Sequence, residues 1–96
     1  MSIEFDGFDW DEGNIGHCQK HGLTIAEIEA ALRGEAFVAP DVKHSGAEDR
    51  FLAIGRDKNM RPFFIVYTYR TRAGKRLIRP VSARSMHKKE IERYET

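Results

Sequence analysis

Residues 62–83 read PFFIVYTYRTRAGKRLIRPVSA, a stretch that contains two strand-forming runs joined by a short connection. The first run, Pro62–Arg70, is apolar on both faces, which is typical of a strand at the centre of a sheet. The second run, Lys75–Ala83, follows Arg72-Ala73-Gly74-Lys75, which has the length and the glycine of a tight hairpin turn. The stretch therefore predicts the two longest strands of the protein, paired with each other.

Shorter strands are predicted on the N-terminal side of this hairpin. In Phe5–Trp10, apolar and polar residues alternate, as they do in a half-buried strand. Two more strands are predicted over Ala36–Pro40 and Arg50–Arg56, bounded by the turn-rich stretches Lys43–Gly46 and Arg56–Asn59. Together with the hairpin, these runs predict one sheet.

The best-specified helix lies between the first two of these strands. Thr24 and Glu27 have the spacing of a capping box, and Leu23 and Ile28 have that of a hydrophobic staple. Gly34 is a stop signal for the same helix. Its apolar residues recur on one face, so we expect that face to pack on the sheet.

Two further helices have weaker signals. The first is predicted from an N-cap at Asp11 towards Lys20, although Gly13 and Gly16 weaken it. The last is predicted from Ser85, with one packing face formed by His87, Ile91 and Tyr94. The order of elements predicts an α+β protein: a mostly antiparallel β-sheet with two N-terminal helices packed on one face and a C-terminal helix. The basic residues are then expected on the other face of the sheet.

Charge is divided unevenly along the chain. Residues 1–42 carry nine acidic and two basic side chains, whereas residues 43–96 carry fourteen basic and six acidic ones. The two segments sum to −7 and +8, which gives the net charge of +1. Cationic side chains on strands, with aromatic residues between them, suit a polyanion such as RNA, since each cation that faces a phosphate releases counterions. The alternative is that these charges only keep exposed faces soluble.

Length and composition set further bounds. Ninety-six residues with 41% hydrophobic content predict a single domain over residues 1–96, with one core. The longest apolar run, Phe63–Tyr67, is too short to span a bilayer, and the N-terminus has no pattern of a secretory signal. One cysteine, Cys18, cannot form an intramolecular disulfide. A reducing, cytoplasmic location is therefore expected.

Four motifs give the chain a likeness to a known family. Trp10-Asp11-Glu12, Lys20-His21-Gly22, Arg50–Arg56 and the series Val81–Arg84, Lys89-Glu90 and Tyr94 occur in this order over most of the sequence. In that arrangement the chain resembles the BrnT-type toxins. Two stretches depart from the family pattern: Gly13–Cys18 stands where a lysine and then an asparagine are usual, and Met86-His87 stands where small residues are usual.

The resemblance implies a RelE-like fold and the toxin of a type II toxin–antitoxin pair. Such a toxin is a ribonuclease that cuts RNA without a metal or other cofactor. It would be neutralised by a small BrnA-like DNA-binding antitoxin encoded nearby. The sequence leaves open whether the protein forms a homodimer or a toxin–antitoxin hetero-oligomer.

Metal-free RNA cleavage needs a base for the 2′-hydroxyl, an acid for the leaving oxygen and cations on the phosphorane. Arginine suits the last role because its fork can hold two phosphate oxygens. Arg50, Arg56 and Arg84 are predicted at strand ends, where their side chains could converge on one pocket. Arg84 is the strongest candidate, since it precedes the last helix. Each of the three could instead be a surface residue or part of a salt bridge.

The acid and base are less well specified. His21 could supply either, because its ordinary pKa is near neutrality, but it could also cap a helix end, with Gly22 in a left-handed conformation. Glu90 is the other titratable candidate, and it could equally pair with Arg93 on a solvated helix. Trp10 could stack on a base or belong to the core. The residues predicted to contact RNA are Lys20, Trp10, Arg70, Arg79 and Tyr94.

The sequence argues against a zinc site. His17, Cys18 and His21 could supply ligands from one short helix, but no second Cys or His pair completes a tetrahedral set. Three functions therefore stay open on the sequence. The first, which we favour, is a toxin ribonuclease. The second is a non-catalytic RNA- or ribosome-binding module, and the third is a subunit whose basic face mainly holds an acidic antitoxin.

Overall fold

The computed structural model describes residues 5–34, 37–40 and 49–95. In chain order its elements are β1 (Gly7–Phe8), α1 (Ile15–Gln19), α2 (Ile25–Arg33), β2 (Phe37–Pro40), β3 (Phe51–Arg56), β4 (Pro62–Arg72), β5 (Lys75–Ser85) and α3 (Lys88–Glu95). Some features of the sequence predictions lie outside the described part of the structure: Ala36, the Lys43–Gly46 turn and the Tyr94 side chain. None of the helices in the described part of the chain is long and apolar enough to cross a bilayer.

The strands form one sheet in the order β1-β5-β4-β3-β2. β1 runs parallel to β5, and the other neighbouring pairs are antiparallel. The prediction of a mostly antiparallel sheet is confirmed, and β4 lies at its centre, as its apolar composition predicted.

The hairpin between β4 and β5 is as tight as predicted. Ala73 and Gly74 form its two-residue turn, with φ of 51° and 77°. Positive φ at both positions gives the turn a twist that matches the twist of paired strands. The strands therefore stay paired up to Arg72 and Lys75, which extends β4 two residues beyond its predicted end.

A β-bulge interrupts this pairing. Val66 lies opposite Ser82, but the next residue, Tyr67, lies opposite Pro80, so Val81 is an extra residue on β5. An extra residue shifts the alternation of side chains along the strand. As a result Ile78 and Ala83, an odd number of residues apart, are both buried in the same core.

The two N-terminal helices cover one face of the sheet, as predicted. Residues of both helices and of the turn between them pack against β3, β4 and β5 in a core of Cys18, Leu23, Ile28, Leu32, Ala53, Phe63, Ile65, Tyr67, Ile78 and Ala83. α2 approaches β3 closely at Gly55, where an added Cβ would lie 2.4 Å from the Cβ of Ala31. A side chain at this position would therefore push the helix off the sheet.

The predicted signals for α2 are confirmed. The Thr24 hydroxyl accepts a hydrogen bond from the Glu27 N–H, and the Glu27 carboxylate accepts one from the Thr24 N–H. Leu23 and Ile28, the staple residues, are both buried. The helix ends at Gly34, whose backbone is extended rather than left-handed.

The N-terminal segment departs from its predicted boundaries. The strand predicted over Phe5–Trp10 is reduced to Gly7–Phe8, and the Trp10 indole N–H donates to Glu29 of α2. Asp11 was wrong as the N-cap of α1: the helix begins one residue after Asn14. Asn14 is buried and donates to the carbonyls of Asp9 and Pro80. These bonds fix the start of a helix that is too short to be stable by itself.

The last helix begins at Lys88 rather than at Ser85. β5 continues through Ser85, and the N–H of the buried Met86 donates to the Pro62 carbonyl. Pairing with β4 therefore holds Ser85 and Met86, the first two residues that were predicted to form the helix.

Candidate functional site

Arginines line the face of the sheet that α1 and α2 do not cover. On β4 the core residues are Phe63, Ile65 and Tyr67, so the alternate residues point to the opposite face. Paired residues of neighbouring strands share a face, and the register therefore places five arginines of the described strands on the side opposite α1 and α2. We call this the arginine face; its members are Arg56, Arg70, Arg72, Arg79 and Arg84. Its position agrees with the expectation from the charge pattern.

Arg84 and Glu90, two of the predicted catalytic residues, form one bidentate pair. Arg84 Nη1 donates to Glu90 Oε1 at 2.8 Å and Nη2 donates to Oε2 at 2.9 Å. Because Arg84 is on β5 and Glu90 is in the first turn of α3, the pair joins the helix to the sheet. The Arg84 side chain nevertheless keeps 41% of its surface exposed.

Neighbouring groups fix the geometry of this pair. The Arg84 guanidinium lies over the Phe64 ring, with 4.9 Å between its Cζ and the ring centroid. The His87 N–H also donates to Glu90 Oε1, at 2.8 Å. The hydrogen bonds from Arg84, and then the one from His87, lower the pKa of Glu90 to about 2, so the carboxylate is charged at neutral pH. The pair also raises the pKa of Arg84.

Arg79, near the middle of β5, belongs to a different arrangement, which we call the Asp9 cluster: Asp9, Asp11, Arg72 and Arg79. Arg79 donates to both oxygens of Asp11, at 2.9 and 3.0 Å, and to Asp9 at 3.3 Å. Arg72 donates to the same oxygen of Asp9 at 3.3 Å. The hydrogen bonds from Arg79, and then that from the Gly13 N–H, lower the pKa of Asp11. Two carboxylates therefore neutralise two guanidinium groups, and the cluster holds the N-terminal segment on the sheet.

The three predicted catalytic arginines do not converge on one point. Arg50 precedes β3 and Arg56 ends it, so about 20 Å of strand separates them. Arg56 lies opposite Pro62 and Arg84 opposite Phe64, at the same end of the sheet. There Arg56 donates to the Met60 carbonyl across the β3–β4 turn. The expectation of a shared pocket is therefore wrong for Arg50, because the length of β3 keeps it away from the other two.

The remaining predicted site residues lie around the N-terminal helices. Lys20 and His21 are exposed in the turn between α1 and α2. Gly22 has the left-handed φ of 90° expected at a helix end, and its N–H donates to the Gln19 carbonyl. The half-buried Trp10 packs against the core, while its indole N–H donates to Glu29 at 2.8 Å.

The residues considered as zinc ligands point to different environments. Cys18 is fully buried, and its burial raises the pKa of the thiol to about 11, whereas His17 and His21 are exposed. Among the described residues, no three His, Cys, Asp or Glu side chains lie close enough together to hold a metal ion.

Sequence reasoning missed the partners that define both ends of the arginine face. It assigned no role to Asp9 or Phe64, it gave Asp11 the role of a helix N-cap and not of a partner for Arg79, and it did not pair Arg84 with Glu90. The acidic side chains of the N-terminal segment were the available signal for these partners. Such side chains either pair with basic residues of the second half of the chain or remain exposed. The pairing itself depends on contacts between residues more than sixty positions apart.

The fold and this site define a small α+β protein whose sheet presents arginines on one face. The family described as "Ribonuclease toxin, BrnT, of type II toxin-antitoxin system" matches residues 10–90. Because the match covers most of the chain, the chain belongs to this family, and the resemblance seen in its motifs is confirmed. The family implies an antitoxin partner and an RNA target. Among curated proteins, no sequence matches the chain significantly.

Proposed function

We propose that this protein is a metal-independent endoribonuclease that inhibits growth by cleaving cytoplasmic RNA at a site built around Arg84. The observation that carries the proposal is the Arg84 guanidinium, which is 41% exposed on the arginine face and oriented by Glu90 and Phe64. The fold in this proposal is RelE-like, and the arginine face opposite the two N-terminal helices supports it.

Arg84 would bind the scissile phosphate. Its fork already holds two carboxylate oxygens at 2.8 and 2.9 Å, and a phosphate offers two oxygens in a similar arrangement. When the 2′-hydroxyl attacks, negative charge grows on the phosphorane oxygens, and a guanidinium already in position stabilises that charge. The hydrogen bond from Arg84 to the Ser85 carbonyl helps to keep the guanidinium in place.

Glu90 is coupled to this step. While Arg84 donates to it, the Glu90 carboxylate is a weak base, because its pKa is about 2. When a phosphate takes the place of Glu90 at the Arg84 guanidinium, the hydrogen bonds that most lower the pKa of Glu90 are lost, and the basicity of Glu90 rises. Glu90 would then take the proton of the 2′-hydroxyl, and water would protonate the leaving 5′-oxygen. His21 has no part in this step, because it lies in the turn between the two helices that cover the opposite face of the sheet.

The other predicted residues have supporting roles in this proposal. Arg50, Arg56, Arg70 and Lys20 would contact the RNA backbone on either side of the cut, with Tyr94 near the end of α3. Arg79 and Trp10 contribute less to RNA binding, since Arg79 holds two carboxylates and Trp10 holds α2.

We also propose a BrnA-like DNA-binding antitoxin with an acidic segment as the partner. Such a segment would compete with RNA for the arginine face and speed association by charge complementarity. Co-expression followed by size-exclusion chromatography would show whether the toxin leaves the column with this antitoxin or as a homodimer.

A non-catalytic binding module is the second candidate, and one observation favours it. Glu90 is held in its charged form by the same arginine that it would have to assist, so the site at rest has no strong base. Binding to RNA or to an antitoxin would require only the cations.

The two candidates are separated by comparing Arg84→Ala with Arg72→Ala. Arg72 is a matched control, because it lies on the same face of the same sheet and is 59% exposed. Each variant and the wild type would be expressed under induction, with growth followed and total RNA examined on a gel. The purified proteins would then be incubated with labelled RNA in EDTA, and RNA affinity would be measured separately.

A toxin ribonuclease gives growth arrest and RNA loss with the wild type and Arg72→Ala, and neither with Arg84→Ala. Its products carry 2′,3′-cyclic phosphates, and Arg84→Ala keeps most of the affinity for RNA. A binding module gives intact RNA with all three proteins and lower affinity in Arg84→Ala.

A further inference from the structure

The turn between β3 and β4, residues 57–61, is short but is stabilised by several hydrogen bonds. Asp57 accepts hydrogen bonds from the N–H groups of Asn59 and Arg61 through its carboxylate, and from that of Met60 through its carbonyl. The Lys58 N–H donates to Glu27 of α2, which connects the turn to the helix layer. The turn is therefore a fixed projection from the sheet, which we call the β3–β4 finger.

Met60, near the end of this finger, combines two unfavourable features. Its φ is 63°, in the left-handed region that glycine and asparagine adopt more readily than methionine. Its side chain is 67% exposed, the largest value among the large hydrophobic residues that the structure describes. The hydrogen bonds of the finger maintain both features, so the apolar side chain is presented to solvent in a defined position.

The surroundings of Met60 are cationic. Arg56 donates to the Met60 carbonyl, and Lys58 and Arg61 are exposed in the same turn. Arg61 also donates to the carbonyl of Met86, at the junction between β5 and α3 that carries the Arg84–Glu90 pair. Met60 is four positions before Phe64, the neighbour of Arg84, so the finger lies within about 13 Å of the proposed phosphate site.

We propose that Met60 contacts an unpaired nucleobase of single-stranded RNA bound at Arg84, so that the β3–β4 finger positions the RNA next to the cut. A nucleobase attached to a phosphate backbone fits an exposed apolar side chain ringed by cations. The methionine sulfur and methylene groups pack well on aromatic rings, and every base offers such a ring. The inference rests on the proposed function, and it assigns to Met60 a positioning role.

Fluorescence anisotropy with a labelled 2′-O-methyl RNA tests this contact. That RNA is single-stranded and lacks the attacking hydroxyl, so cleavage does not disturb the measurement. A second probe has the same backbone but carries abasic sites, so it offers the phosphates without the nucleobases. The variants are Met60→Ala, Met60→Leu and the matched control Ile15→Ala, which shortens an exposed hydrophobic residue on α1.

We expect Met60→Ala to weaken binding of the RNA about three- to tenfold and to leave binding of the abasic probe unchanged. The dependence of affinity on salt should not change, since no charge is lost. Met60→Leu should retain most of the affinity, and Ile15→Ala all of it. The thermal unfolding temperature of each variant shows whether the substitution has left the fold intact.

Equal affinity of Met60→Ala and wild type for the RNA would overturn the inference, and so would an equal loss on both probes. A loss confined to binding of the co-expressed antitoxin would also overturn it, and would show that Met60 contacts a protein. If the wild type binds neither probe, both the proposed function and the contact at Met60 are contradicted. If the wild type binds the RNA and Met60→Ala binds it equally well, only the contact at Met60 is contradicted.

Discussion

Arg79 and Arg84 lie on the same strand and the same face of the sheet, and each donates two hydrogen bonds to one carboxylate. They differ in the number of their acidic partners and in their exposure to solvent. Arg79 has two acidic partners from the N-terminal segment, and only 16% of its side chain is exposed. Arg84 has one acidic partner on the adjacent helix, and 41% of its side chain is exposed. The number of carboxylates and the exposure of the guanidinium, rather than residue type or strand position, distinguish the anchoring arginine from the one that we propose binds a phosphate.

The largest expected effect is that of Arg84→Ala on RNA cleavage. Losing one preorganised cation from a developing negative charge lowers the rate about 100- to 1,000-fold. The free energy of unfolding should fall by less than about 1 kcal/mol, because the pair with Glu90 is partly exposed. Rates with labelled RNA and urea denaturation measure the two quantities. Equal loss of cleavage in Arg72→Ala would show that the whole face, and not Arg84, determines the rate.

Arg79→Ala should have the largest effect on stability. It leaves the Asp9 carboxylate, which is 11% exposed, with Arg72 as its remaining partner in the Asp9 cluster. We expect the free energy of unfolding to fall by about 2–3 kcal/mol, measured by urea denaturation. Arg72→Ala, the control, should lower it by less than about 1 kcal/mol, since that arginine is mostly exposed. A small effect of Arg79→Ala would mean that the pairing of β1 with β5 and the hydrogen bonds of Asn14 and Trp10 hold the N-terminal segment without the Asp9 cluster.

A smaller effect is expected from acid on the Arg84–Glu90 pair. The pKa of Glu90 is lowered from 4.5 to about 2, so the pair stabilises the folded state above pH 4.5, and this contribution is lost as the pH falls towards 2. Over that interval the wild type should lose about 1 kcal/mol more stability than Glu90→Gln, which has no charge to lose. Urea denaturation across the interval measures the difference, and parallel pH profiles would contradict the pairing.

The smallest effect is expected from Asp11→Asn. The Asp11 side chain is 50% exposed, and Asp9 remains beside Arg79 after the change. The free energy of unfolding should fall only slightly at neutral pH, and by less than in Arg79→Ala, with less of the loss visible at high salt, which screens exposed pairs. A loss as large as that of Arg79→Ala would mean that Asp11, and not Asp9, is the main partner of that arginine.

Local signals predicted the elements better than they predicted the site. The capping box of Thr24 and Glu27, the stop at Gly34 and the turn at Ala73-Gly74 depend on residues within a few positions, so the sequence shows them directly. The start of α1 was wrong because Asn14 is held by the carbonyl of Pro80, far along the chain. Arg84 and Glu90 were both selected as candidates, but the sequence did not show that they bind each other, since Glu90 also had Arg93 within reach.

The sequence by itself determined the α+β order of elements, the central place of β4 and the excess of arginine in the second half of the chain. Only the tertiary structure decided which arginines share a face. Arg79 and Arg84 are an odd number of residues apart, so a regular strand would place them on opposite faces. The extra residue Val81 at the bulge restores them to one face and keeps Ile78 and Ala83 in the core. Hydrophobic periodicity fixes local structure, but a bulge depends on the pairing of two strands, and only that pairing shows which charges meet.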